Sequence, residues 1–319
     1  MILFLVCVFL SPHAAFIESY KHGKIVFQPD FEFGAKTDWP SIFYEDIFPQ
    51  LICRGSGEIY VSHPKQNKIL QLDSLGNVTR TFGKDGQGPG DLDSPGQLSI
   101  LDDRFLVVQE RLRISLFDLE GRFVKIIKTR FPPRQTVALQ KGIIAYVADR
   151  YDVKKIQKSV RMIDSTSGRE TELNSFRLNH ENDRKYFFNA FADDVIIQRT
   201  GDGKLLVGHT SAAEVNIYSI TGERENNIKL RMNPTITSPK LQEEFFEQFF
   251  RIIDRIGFSG YGDKIVNMRD RSKCFFPPYI PYYQDIKIDQ GRRLLGIEAL
   301  ERIPREPLEA FPRDRRRPS

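Results

Sequence analysis

Residues 57–63 read GEIYVSH and residues 68–76 read KILQLDSLG, and these two runs decide the fold. The first run is a short apolar strand, and the second alternates apolar and polar residues until it reaches an Asp-x-x-Gly turn at Asp73. Gly76 supplies the positive φ that a tight hairpin turn requires. A further strand over residues 78–82 follows the turn, so the stretch predicts a unit of short antiparallel strands.

The same pattern returns three times along the chain. Its first run recurs as DRFLVVQ at 103–109, GIIAYVAD at 142–149 and GKLLVGH at 203–209, and its second run recurs as RISLFDLEG at 113–121, VRMIDSTSG at 160–168 and VNIYSITG at 215–222. The turn glycines Gly76, Gly121, Gly168 and Gly222 are 45, 47 and 54 residues apart. This period suits four antiparallel strands per unit, and because one such sheet cannot bury both faces alone, the units must pack around an axis.

We therefore predict an all-β protein, a β-propeller of four-stranded antiparallel blades, over residues 24–300. The predicted blades lie at about 46–83, 97–129, 134–175 and 193–231, with a partial fifth at 283–300. Residues 301–319 are rich in Pro and Arg and predict a disordered tail. A sixth blade would need about 40 further residues at this period, so the C-terminal blades are expected to be incomplete, and residues 25–27 are a candidate outer strand for closing a ring.

Residues 82–92, FGKDGQGPGDL, join the first two units. This stretch resembles the Gly-x-x-Gly-x-Gly-Pro-Gly-Glu-Phe loop of bacterial six-bladed β-propellers related to NHL-repeat proteins, with Asp91 and Leu92 in place of Glu and Phe. The resemblance implies six blades. We assign the loop residues Gly86, Gly88, Pro89 and Gly90 a structural role. A phosphate cradle is not favoured, because no helix follows the loop and no Lys-Ser/Thr pair ends it.

One helix is predicted at residues 239–256, between the fourth and fifth units. Ser238 can cap it and Pro239 suits its first position. Its apolar stripe consists of Leu241, Phe245, Phe249, Ile253 and Ile256, widened by Phe246 and Phe250. We expect this stripe to pack on the propeller itself; the alternative is a helix that docks a partner or faces a membrane.

The first 15 residues predict a signal peptide. Residues 2–10 are apolar but too few to span a bilayer, and small residues follow at Ala14 and Ala15. The chain is therefore expected to be exported, to the periplasm, the cell envelope or the medium. A lipoprotein attached at Cys7 and a buried leading strand are the alternatives. Cys53 and Cys274 are too far apart in sequence to indicate a disulfide framework or a metal-ligand set.

Aligned repeats place His63, Gln109, Asp149 and His209 at one recurring position, just after the second strand of each unit. Equivalent positions share a rim, and two His with one Asp suggest a metal or acid–base site. The alternative is that each side chain bonds loops of its own blade; the fifth unit, with Ile297 at this position, does not continue the polar series. We predict no cofactor; a divalent metal ion at this position is the alternative.

The sequence carries no motif that names a reaction, and enzymatic activity is left undecided with a leaning against it. Net charge is +5, and basic residues do not cluster with aromatic ones, so no nucleic-acid partner is expected. The preferred function is an exported binding or interaction module for a protein, peptide or carbohydrate at the rim or channel mouth, with envelope association as an option. A metal-dependent hydrolase or lyase and a truncated, nonfunctional remnant are the alternatives.

Overall fold

The computed structural model describes residues 33–34, 50–152, 155–178, 188–189, 191–256, 274–283, 285–288 and 294–298. Four separate four-stranded antiparallel sheets follow one another along the chain, each with its strands in sequence order. The first two sheets contain β1 (Leu51–Cys53), β2 (Ile59–His63), β3 (Lys68–Leu72) and β4 (Val78–Phe82), then β5 (Leu98–Leu101), β6 (Phe105–Gln109), β7 (Arg113–Asp118) and β8 (Phe123–Lys128). They are blades one and two.

Blades three and four have the same order of strands. They contain β9 (Pro133–Ala138), β10 (Ile143–Asp152), β11 (Lys155–Asp164) and β12 (Glu170–Arg177), then, after β13 (Phe188–Asn189), β14 (Val195–Arg199), β15 (Leu205–His209), β16 (Glu214–Tyr218) and β17 (Arg224–Lys229). An insertion follows, made of β18 (Thr235–Ile236), helix α1 (Pro239–Ile256), β19 (Cys274–Phe275) and β20 (Tyr279–Ile280). The hairpin β21 (Asp285–Ile288) and β22 (Leu294–Glu298) begins the fifth unit.

The blades pack as in a β-propeller, and the predicted fold class is confirmed. The first strands of successive sheets lie side by side, β1 next to β5, β5 next to β9, β9 next to β14 and β14 next to β21. Apolar side chains from the faces of neighbouring sheets form the core between them, for example Val147 and Met162 of blade three with Val195 and Val207 of blade four. Each sheet thus buries on its neighbours the faces that it could not bury alone.

Side chains of one blade bind backbone groups on the first strand of the next. Ser99 Oγ accepts a hydrogen bond from the Ala138 N–H at 3.0 Å, and Gln97 Oε1 accepts one from the Thr136 N–H at 2.9 Å. Gln135 in turn donates to the Val195 carbonyl at 3.0 Å. The innermost strand has one edge without a partner strand in its own sheet, and these contacts satisfy its N–H and C=O groups.

The outer hairpin turns are closed in similar ways. In the first turn, Asp73 Oδ1 accepts hydrogen bonds from the N–H groups of Leu75 and Asn77 at 2.9 and 2.8 Å, and Asp118 accepts equivalent bonds in blade two. The turn of blade three is one residue longer, and Asp164 there accepts a bond from the Thr166 N–H at 2.7 Å. All four turn glycines have φ between 72° and 91°. The turn of blade one also packs on a preceding segment: the Gly34 N–H donates to the Leu75 carbonyl, and the Phe33 ring lies against Gly76.

The glycine-rich loop at 82–92 closes on itself. Asp91 Oδ2 accepts a hydrogen bond from the Gly88 N–H at 2.8 Å, and the Leu92 N–H donates to the Lys84 carbonyl at 2.8 Å. The Leu92 side chain is 0% exposed in the core between blades one and two. Gly83, at φ +84°, lets Leu92 come so close that a Cβ there would lie 2.4 Å from Leu92 Cδ1. The carboxylate of Asp91 thus already accepts the loop N–H group that a bound phosphate would need.

Helix α1 is confirmed at the predicted bounds. Ser238 Oγ caps it by accepting a hydrogen bond from the Leu241 N–H at 3.2 Å. Its Phe245 and Phe246 rings pack on Phe276, and Phe245 also packs on Phe191 in the segment that leads into blade four. This part of the apolar stripe therefore packs on the protein itself. Within the described residues, no helix is long and apolar enough to cross a membrane.

The third unit differs from its sequence pattern. The polar stretch after Asp149, which separates two strands in the repeat pattern, is part of one hairpin in which β10 and β11 pair from Ile143 with Asp164 to Asp152 with Lys155. Polar residues suit a two-stranded ribbon that extends beyond the core. The predicted leader at 1–15, the candidate closing strand at 25–27 and the tail at 301–319 lie outside the described residues.

Candidate functional site

The four residues at the recurring position lie at equivalent places in their blades. His63, Gln109 and His209 end β2, β6 and β15, and Asp149 lies in the longer β10. In an antiparallel sheet, the end of the second strand lies at the same edge as the start of the first. All four therefore lie at the edge where each blade begins, and each has a different set of partners there.

His209 pairs with a buried carboxylate. Its Nε2 lies 3.0 Å from Oδ2 of Asp193, whose side chain is 2% exposed, and its ring packs on Phe176 with centroids 5.4 Å apart. Its backbone carbonyl accepts a hydrogen bond from the hydroxyl of Tyr283, the residue that leads into the fifth unit. Burial, together with the nearby Glu214 carboxylate, raises the pKa of that hydroxyl. The imidazole is thus held in one orientation by a carboxylate on one side and an aromatic ring on another.

A chain of alternating charges continues from this pair across blade three. The Lys158 ammonium binds Asp194 and lies 3.9 Å from Asp149, and Asp149 accepts a hydrogen bond from Arg134 Nε at 2.8 Å. The side chains at the two ends, Arg134 and Asp194, are each 47% exposed, whereas those of Lys158 and Asp149 are largely buried. We call the six residues Arg134, Asp149, Lys158, Asp193, Asp194 and His209 the polar rim.

The other two predicted residues are placed differently. The Gln109 amide donates a hydrogen bond to the Pro133 carbonyl at 3.1 Å and so joins blade two to blade three. The His63 side chain is buried at the end of β2 in blade one. Among the residues that the structure describes, no three His, Cys, Asp or Glu side chains are grouped so that they could hold a metal ion. Asp149 and His209 thus belong to two neighbouring groups, the Arg134–Asp149–Lys158–Asp194 chain and the Asp193–His209 pair, which adjoin at the consecutive residues Asp193 and Asp194.

Sequence reasoning missed four residues of the polar rim. Asp193 and Asp194 immediately precede β14, and Arg134 lies at the start of β9, so a search of residues at strand starts would have found them. Lys158 is harder to find, because its position opposite Asp149 depends on the register of the β10–β11 hairpin. The second strands alone could not show that the partner groups come from the starts of first strands, Arg134 and Asp193 from the same blade as the residue they bind and Asp194 from the next blade.

The insertion lies beside the polar rim. Phe191, two residues before Asp193, has its ring centroid 5.1 Å from that of Phe245 and 5.9 Å from that of Phe276. Helix α1 is thus anchored on the segment that carries the carboxylate partner of His209. A cavity of about 450 Å³ lies between α1 and the segment 274–276. The polar rim and this cavity both carry side chains suited to binding.

Comparison with known proteins finds no matching family model and no matching curated protein. Solved structures do match over part of the chain. A streptogramin B lyase shares 16% identity over 58% of this chain and 56% of its own, with a TM-score of 0.38. A Bacteroides fragilis protein named as exported shares 10% identity over 60% and 53%, with a TM-score of 0.42.

The virginiamycin B lyase from Staphylococcus aureus shares 14% identity over 62% of this chain and 73% of its own, with a TM-score of 0.34. The present chain spans just over half the length of the first two solved structures. These partial likenesses transfer neither an activity nor a ligand to this protein. The relation to NHL-repeat proteins stays a prediction, and the four packed four-stranded sheets by themselves show the β-propeller fold.

Proposed function

We propose that this protein is a binding module that takes a charged peptide segment of another protein on its polar rim. The observation that supports this is the arrangement of the exposed groups: the Arg134 guanidinium lies at one end of the charge chain and the Asp194 carboxylate at the other, with His209 also partly exposed. Opposite charges held in fixed positions select a partner with complementary charges. A peptide offers such charges, whereas a neutral carbohydrate does not.

The rim is also held rigidly in place. Lys158 bridges two carboxylates from neighbouring blades, and the Asp193–His209 pair is packed under Phe176. A binding site whose side chains are already fixed loses less conformational entropy when a ligand binds. The long β10–β11 hairpin includes the Asp149–Lys158 pair and continues to the pair Asp152–Lys155.

Selection from a displayed peptide library tests the proposal. We expect charged peptides to be enriched, and Arg134→Gln and Asp194→Asn to weaken their binding by about 5- to 30-fold, as loss of one charge-assisted hydrogen bond does. Arg122→Gln is the matched control, because Arg122 is an exposed, ion-paired arginine in an outer turn of blade two, remote from the rim. Equal binding by all three variants would contradict the proposal, as would failure to enrich any peptide.

A second candidate is an enzyme that uses His209 as an acid–base catalyst in hydrolysis or elimination. The observation that favours it is the His209–Asp193 pair, since a buried carboxylate at hydrogen-bond distance orients an imidazole and stabilises its protonated form. Turnover of ester or lactone substrates that His209→Gln abolishes, with peptide binding unchanged, would favour this candidate. Loss of that turnover when a chelator is added would support a metal-dependent enzyme.

We further propose that the chain is exported, on the basis of the apolar run at residues 2–10 and the small residues that follow it. Fusion of residues 1–20 to a reporter that is active only outside the cytoplasm provides the test. A fusion that stays inactive, while a known leader activates the same reporter, would contradict export.

A further inference from the structure

Three arginine side chains surround one phenylalanine between blades two and three. The guanidinium carbons of Arg130, Arg150 and Arg161 lie over the Phe131 ring, 5.7, 5.5 and 5.2 Å from its centroid. A ring has two faces, so at least two of these three cations share a face. Phe131 also packs on the core between the two blades. Its contacts with the guanidinium groups therefore hold three positive charges near one another although they repel.

Carboxylates balance the charge of the buried member of this group but not that of the two exposed members. Arg161 is 5% exposed and pairs with Glu170 and Glu172. Glu170 also accepts a hydrogen bond from the Arg130 N–H at 3.1 Å. Arg130 and Arg150 are exposed, and no carboxylate among the residues that the structure describes pairs with either guanidinium group. These two cations are therefore available to a ligand.

A third exposed arginine lies on the same face of blade three. In the sheet register, Arg150 of β10 lies opposite Gln157 of β11, and Gln157 lies opposite Arg177 of β12. Residues directly opposite one another share a face of the sheet, so these three form one row across it. Arg150 and Arg177 are two strands apart, about 10 Å, which two arginine side chains can close on one ligand. Within the described part of the chain, no carboxylate pairs with Arg177 either.

The next position on this face is also polar. Ser159 lies between Gln157 and Arg161 on β11 and is 0% exposed, and its Oγ has no hydrogen-bond partner among the described residues. A buried hydroxyl without a partner is unfavourable. Around Phe131 the face thus carries guanidinium, amide and hydroxyl donors, which are the groups that bind an oxyanion.

We propose that Arg130, Arg150 and Arg177 bind a phosphate dianion, free or as the monoester of a small molecule, on the face of blade three that is turned to blade two. The four arginines of this face stand against the two carboxylates that pair with Arg161, so two positive charges are left for the ligand. A phosphate monoester carries about 1.5 to 2 negative charges at pH 7 and three acceptor oxygens, which arginine side chains bind in a fork geometry. A carboxylate offers one charge and two oxygens. This site does not depend on the peptide-binding role of the polar rim.

Calorimetric titration at about pH 7.5 with phenyl phosphate, phenyl sulfate and inorganic phosphate tests the proposal. Phenyl sulfate has the shape of phenyl phosphate but one charge fewer, so we expect phenyl phosphate to bind at least about fivefold more tightly. Arg130→Gln, Arg150→Gln and Arg177→Gln should each weaken phenyl phosphate binding by about 3- to 10-fold, because each removes a charge-assisted hydrogen bond. Inorganic phosphate distinguishes the two forms of the ligand: binding as tight as that of phenyl phosphate supports the free anion, and weaker binding supports the ester.

The control variant is Arg199→Gln. Arg199 is likewise exposed and without an ion pair to the described residues, but it ends β14 in blade four, at the opposite edge from the start of that strand. It should bind phenyl phosphate as the unmodified protein does, and all four exposed variants should keep the parent melting temperature. Equal affinity for phenyl phosphate and phenyl sulfate would overturn the proposal. So would a loss of affinity in Arg199→Gln as large as that in Arg150→Gln, or no binding of phenyl phosphate at about 10 mM, the weak end of single-site affinities.

Discussion

Replacing Leu92 with alanine tests whether the glycine-rich loop is a structural joint between blades one and two. Leu92 is 0% exposed and shares a core cluster with Tyr60 and Ile69 of blade one and Leu106 and Phe117 of blade two. Alanine removes three buried carbons, which costs about 2 kcal/mol in lost transfer free energy, and the residual cavity adds to this. We expect the free energy of unfolding to fall by about 3–4 kcal/mol.

Urea denaturation followed by circular dichroism measures this change, with Leu112→Ala as the matched control. Leu112 is 60% exposed, so the same substitution there should change the free energy of unfolding by less than about 0.5 kcal/mol. Both variants should unfold with the slope of the parent protein, because neither alters the surface exposed on unfolding. A difference between the two variants below about 1 kcal/mol would refute the assignment of Leu92 as a joint.

Three further predictions concern the blades. Arg161, 5% exposed, pairs with Glu170 on the neighbouring strand, so Arg161→Met should lower the free energy of unfolding by about 3–5 kcal/mol in a denaturant titration, because it leaves a largely buried carboxylate without its cation. Hydrogen bonds from the Asn77 side chain and the turn backbone lower the pKa of Asp73. A lowered folded-state pKa gives stability that is present above the unfolded pKa of about 3.9 and lost as the pH falls below it, so in thermal melts the advantage of the parent protein over Asp73→Asn should vanish towards low pH. Gly121→Ala should reduce the melting temperature, because Gly121 has φ +81° and a Cβ there would lie 2.6 Å from a ring carbon of Phe82.

Each of these has its own control. Arg122→Met removes a mainly exposed ion pair and should change the free energy of unfolding by less than about 1 kcal/mol. A gap between Asp73→Asn and the parent that persists unchanged to pH 2 would contradict the pKa argument. Gly55→Ala places a methyl group in open space, so a loss of melting temperature as large as that of Gly121→Ala would show that close approach is not the cause.

The blades could be predicted from sequence because their determinants are local. The alternation in residues 68–72 and the Asp73–Gly76 turn specify a hairpin without reference to the rest of the chain. One link of the polar rim depends on a contact between blades: Lys158 meets Asp194, 36 residues away, only because β11 and the segment before β14 lie at the same edge. Helical periodicity likewise predicted α1, but the aromatic cluster needs Phe191 and Phe276, which lie outside the helix.

The place of Phe33 and Gly34 against the first hairpin turn bears on where a stable fragment of this protein can begin. Phe33 touches Gly76 as Phe82 touches Gly121, and both Phe residues precede a Gly of positive φ. Phe33 and Gly34 therefore pack on the outer turn of blade one in the way that the end of β4 packs on the outer turn of blade two. The group of strands that pack together therefore does not begin at the residue where the sequence repeat begins.

A fragment cut at the start of the first sequence repeat would expose the apolar face that Phe33 covers together with Leu51 and Cys53. A fragment that retains Phe33 keeps that face covered. The same offset applies where Phe82 lies against Gly121 and where Leu173 lies against Gly222: a blade removed with its own four strands also takes away the cover of the turn that follows it. Circular permutants and blade deletions should accordingly be divided before the fourth strand, and not at the repeat boundary that the sequence displays.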